Sequence, residues 1–73
     1  MNRQASEGGM KNRDVIKAIE NDGWRLVRQT SSHLIFKKQG VREIVTINGL
    51  GREEMKPGTL QSIRQTTGLE LRP

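Results

Sequence analysis

A small α+β domain with the element order α-β-β-β-α is the fold this sequence predicts, and three observations predict it. Val15, Ile16 and Ile19 recur at helical spacing, residues 24–29 and 33–38 alternate in two-residue parity, and glycines stand where elements must stop. A chain of 73 residues has room for one domain, which at this size buries only about 60% of the surface its unfolded form exposes. With 32% apolar residues, one Trp, one Phe and no Tyr, the core is modest. Its stability is expected at the low end of about 5–15 kcal/mol.

Residues 1–9 are polar, carry two glycines and have no period, so they read as a disordered leader or an expression remnant. The domain proper is expected over residues 10–73. Its first helix runs from Asn12 to Asn21, with Asn12 as N-cap and Asp14 in the first turn, where the helix dipole favours an anion. Gly23 ends it, because glycine adopts the left-handed conformation that comes after many helices.

Three strands come next. Residues 24–29 place Trp24 and Leu26 on one side and Arg25 and Val27 on the other. Thr30-Ser31-Ser32 reads as a turn, and residues 33–38 then put Leu34 and Phe36 on one face and His33, Ile35 and Lys37 on the other. After the turn at Gln39-Gly40, the β-branched residues of 42–47 suit a third strand, closed by Asn48-Gly49. A last helix begins at Pro57, which the first helical turn tolerates, and runs to Thr67 before Gly68. Leu69 and Leu71 are expected to fold back on the core. This order gives one antiparallel meander with both helices on one face. Parity then leaves Arg25, Val27, His33, Ile35 and Lys37 on the open face and puts Arg28 on the opposite one.

Composition narrows the function. The absence of cysteine removes disulfides and thiolate chemistry and fits a reducing compartment. No apolar run approaches the roughly 20 residues that cross a bilayer, so the expectation is a cytoplasmic protein. A single histidine makes no His-rich metal site, and no phosphate loop, dinucleotide fingerprint or hydrolase elbow is present; no metal or other cofactor is expected. The formal charge of +5 is concentrated, because Arg25, Arg28, Lys37, Lys38 and Arg42 succeed one another with no acidic residue between Gly23 and Arg42. Such a run favours a polyanionic partner, although a solvated basic surface has the same composition. Spacing alone leaves His33 open between an exposed structural residue and a catalytic one. Trp24 reads as core rather than as a base-stacking platform, because it begins an apolar parity.

The segments Lys11-Asn12-Arg13-Asp14-Val15-Ile16-Lys17, Gly23-Trp24, Arg28-Gln29, Ser32-His33, Ile35-Phe36, Glu54-Met55-Lys56-Pro57-Gly58-Thr59-Leu60, Ser62-Ile63 and Gly68-Leu69 occur in this order. In that pattern the chain resembles the HicA (YcfA-like) mRNA interferase family over nearly all of its length after Met10. The resemblance implies a fold like that of double-stranded-RNA-binding domains, cleavage of messenger RNA, and inhibition by a HicB-like antitoxin. It carries the family's catalytic histidine onto His33. The mechanism expected of it is a metal-independent attack of a ribose 2′-hydroxyl on its neighbouring phosphodiester, with His33 as general acid or base. The RNA-binding residues expected beside it are Lys37, Arg25, Arg28, Lys38 and Ser32. Two positions depart from the pattern: Ser31 stands where many relatives have glycine, and Leu34 where many have a second histidine. A catalytically inactive module that binds RNA or the antitoxin is the alternative.

Overall fold

The computed structural model describes residues 9–72, so the leader expected at 1–9 lies, but for Gly9, outside the described residues. Helix α1 spans Asn12–Asn21, as its periodicity indicates. Its N-terminus differs from expectation: Lys11, not Asn12, is the cap residue, and no side chain caps the helix. The first N–H groups of a helix need acceptors from outside it. Here the loop before the second helix supplies them, Asn12 N–H donating to the Glu53 carbonyl at 2.8 Å and Arg13 N–H to that of Gly51 at 2.9 Å. Asn12 is buried, and its side-chain Nδ2 donates to the carbonyls of Asn48 and Leu50, both at 2.9 Å. The residue clips the helix to the end of the sheet.

The C-terminus of α1 agrees with expectation. Trp24 N–H reaches back to the Ile19 carbonyl at 3.0 Å and Gly23 N–H to that of Glu20 at 3.1 Å, with Gly23 at φ +102°. These two bonds close the last turn and turn the chain into the sheet.

Strands β1 (Arg25–Gln29), β2 (His33–Lys37) and β3 (Val45–Asn48) form an antiparallel sheet in the order β1-β2-β3. Strand β3 is shorter than the expected 42–47 and begins three residues later. The cause lies in β2, which ends at Lys37 and passes into a turn closed by Val41 N–H on the Lys38 carbonyl, with Gly40 at φ +85°. Residues 42 and 43 therefore have no strand opposite them, and the ladder with β2 begins at the pair of Phe36 with Val45. Helix α2 spans Pro57–Thr67 and stops at Gly68, φ +74°.

The helix-covered face carries Phe36, Val45 and Ile47, which pack with Val15 and Ile19 of α1, Leu60 and Ile63 of α2, and Trp24, Met55 and Leu71. Leu71 returns to the core as expected, held by Arg64, whose Nε and Nη2 donate to the Leu71 carbonyl at 2.9 and 2.6 Å. Leu26 corrects the expected core. It lies opposite Phe36 yet is 43% exposed, because β1 is the edge strand and its inner face extends past the cover of the helices.

Candidate nucleic-acid interface

The open face is defined by pairing, since residues directly opposite in an antiparallel sheet share a face. Arg25 pairs with Lys37, Arg28 with Ile35, Ile35 with Thr46, and His33 with Asn48. Between Leu26 and Arg28 the register shifts, so Val27 is a bulge with no partner in β2. A bulge inserts one extra residue and reverses the parity of the residues after it. Arg28, expected on the helix side, therefore stands on the open face with His33.

The shift reorders the cations around the imidazole. Arg28 is a diagonal neighbour of His33, a separation of about 7–8 Å that a long side chain spans. Lys37 lies four residues along β2, or about 13 Å, and Arg25 lies opposite Lys37. No acidic residue occurs in β1, β2 or β3.

Lys38 is engaged elsewhere. Its Nζ lies 2.9 Å from Asp22 Oδ2, both side chains about one-third exposed, and its stem runs over Gly23. The pair ties the end of β2 to the end of α1, so Lys38 is not grouped with the open-face cations.

The turn before β2 orients the histidine. Thr30 N–H donates to the His33 carbonyl at 2.9 Å, which leaves Ser31 and Ser32 as a two-residue loop. Two-residue hairpin loops usually use positive φ, yet no non-glycine described residue has one. The Thr30 hydroxyl instead accepts the N–H groups of His33 at 3.0 Å and Ser32 at 3.4 Å. Serine at position 31 is thus accommodated without strain. The imidazole Nδ1 lies 3.1 Å from Ser32 Oγ and 3.5 Å from Thr30 Oγ1, while Nε2 makes no hydrogen bond among the described residues. His33 is exposed. The other departure, Leu34, lies opposite Ile47 and packs against the core, away from the imidazole.

A scan against family models matches residues 13–69 to the HicA toxin of bacterial toxin–antitoxin systems. The chain belongs to the HicA toxin family. A search of curated proteins finds no match. The α-β-β-β-α arrangement of this HicA member agrees with the double-stranded-RNA-binding-like fold that the resemblance implies. No helix among the described residues is long and apolar enough to cross a membrane, and none of their His, Asp and Glu side chains gather in threes at metal-binding distance.

Two residues of the face escaped the sequence reading. Thr30 was legible as a turn former, and threonine hydroxyls commonly accept backbone N–H groups in turns. Asn48 was not, because its place opposite His33 depends on a β2–β3 register that nothing in the local sequence encodes. The interface also holds no exposed Trp, Tyr or Phe: Trp24 and Phe36, the only such residues in the chain, are both buried, as the core reading of Trp24 requires.

Proposed function

We propose that this HicA toxin is a metal-independent endoribonuclease that cleaves messenger RNA in the cytoplasm and is neutralised by a HicB-like antitoxin. The observation that carries the reading is the exposed His33 on a sheet face with Arg28 beside it and no acidic residue on its strands. Phosphates approach such a face readily. In the reaction, a ribose 2′-oxygen forms a bond to the neighbouring phosphorus and the bond from phosphorus to the 5′-oxygen breaks. One proton leaves the 2′-hydroxyl and one reaches the departing oxygen. His33 is the residue for such a transfer, as general base or general acid, since imidazole is the side chain that most often performs it.

Ser32 and Thr30 act through His33. Their hydroxyls hold Nδ1, which directs Nε2 toward solvent, where a substrate would lie. Arg28, Arg25 and Lys37 hold phosphates. With no exposed Trp, Tyr or Phe for bases to stack on, binding rests on the RNA backbone more than on unpaired bases.

The test is incubation of a labelled single-stranded RNA in EDTA with the native protein and with His33→Ala. The native protein is expected to leave 2′,3′-cyclic phosphate ends, and the variant to cut at least about 100-fold more slowly, within the range for loss of a proton-transfer group. One observation favours a second reading, a catalytically inactive module that grips RNA or the antitoxin: the face holds a single imidazole and no carboxylate on its strands to share two proton transfers. RNA binding without cleavage by either protein decides for that module.

A further inference from the structure

The residue opposite the histidine is an asparagine whose side chain makes no hydrogen bond among the described residues. Asn48 pairs with His33 across β2 and β3. Gly49 N–H donates to the Ser32 carbonyl at 3.3 Å just beyond this pair, which marks it as a non-hydrogen-bonded pair. In such pairs the two side chains stand closest, with Cβ atoms about 4.5–5.5 Å apart. Asn48 is exposed, and its amide makes no hydrogen bond among the described residues.

Its backbone, by contrast, is held. The Asn48 carbonyl accepts Asn12 Nδ2 at 2.9 Å, and the chain turns off the strand at Gly49, φ +90°. The amide is thus carried on a braced position beside the imidazole. Thr46, the other polar side chain that β3 presents to this face, lies opposite Ile35, one diagonal step from His33.

We propose that the Asn48 amide is a second catalytic group of this face, donating a hydrogen bond to a non-bridging oxygen of the phosphate on which His33 acts. The inference rests on the nuclease reading above. Negative charge grows on those oxygens as the 2′-oxygen bonds to phosphorus, and a fixed donor aimed there stabilises the transition state more than the bound substrate. Arg28 approaches from the β1 side; β3 supplies no cation to this face, and Asn48 is the donor nearest His33 on that side. No proton leaves the amide, so the balance of the reaction is unchanged.

The test measures single-turnover cleavage of one labelled RNA in EDTA by the native protein, His33→Ala, Asn48→Ala and Asn48→Asp, with thermal melting of each. The Asn12 clip engages the backbone of Asn48, not its side chain, so both Asn48 variants are expected to melt like the native protein. The expected result is a loss of at least about 10-fold in the cleavage step for Asn48→Ala and a larger loss for Asn48→Asp, whose carboxylate repels the phosphate, with RNA affinity of Asn48→Ala changed by less than about 3-fold. Native rates in Asn48→Ala overturn the inference while the nuclease reading stands. A loss that tracks lowered melting in both variants assigns Asn48 to the fold and overturns it too. Absence of cleavage by the native protein overturns the nuclease reading and this inference together.

Discussion

Arg28 shows how one residue's role turns on its neighbour. A strict two-residue alternation from Arg25 sends it to the helix side; the bulge at Val27 brings it to the open face, diagonal to His33. It is the cation expected to matter most to RNA. Arg28→Ala should weaken RNA binding more than Lys37→Ala does, and should lower the slope of log affinity against log salt by about 0.7–0.9. A salt slope unchanged in Arg28→Ala would mean that RNA does not approach along the β1 side of His33. Lys38→Ala, which breaks the pair with Asp22, should leave that slope unchanged.

At the scale of elements, the sheet and the first helix are joined by one buried amide. Asn12 donates to two carbonyls near the end of β3, and the loop at 51–53 returns carbonyls to the first N–H groups of α1. This mutual capping replaces the side-chain cap that the sequence led one to expect, and it braces the strand end where Asn48 faces His33. Asn12→Ala removes both bonds from a buried site and should cost about 1–3 kcal/mol. In a domain of this size that lowers Tm on the order of 10 °C, read by circular dichroism. A melting point unchanged from the native protein would show that the clip contributes nothing.

For the whole molecule, stability depends on a single cluster shared by both helices and one sheet face. Ile19 is fully buried within it. Ile19→Ala should cost about 2–5 kcal/mol, a large part of the total for a domain at the low end of about 5–15 kcal/mol. Urea unfolding should show a lower midpoint at an unchanged slope. The same economy explains the division of labour between faces. With Trp24 and Phe36 buried in the core, the open face carries cations, small polar groups and one imidazole around the half-buried Ile35, a surface suited to phosphates.

Local sequence was enough to define the elements and their order. Helical spacing at Val15, Ile16 and Ile19, alternation through Leu34 and Phe36, and glycines at 23 and 68 are local signals, and local backbone sterics act on them directly. The sequence also marked His33 as the one imidazole and placed it, through its resemblance to a family, at the centre of interest. The turn neighbours of that imidazole, Thr30 and Ser32, are local as well; which residues reach it from across the sheet was settled by tertiary packing. The bulge at Val27, the later start of β3, the exposure of Leu26 and the pairing of Asn48 with His33 all depend on how separate segments register against each other. Register is fixed by the packing of Phe36, Val45 and Ile47 under the helices and by the Asn12 clip, contacts between residues far apart in the chain. A periodicity read along one strand has no knowledge of its partner, and for that reason the face of Arg28 and the neighbour of His33 were out of its reach.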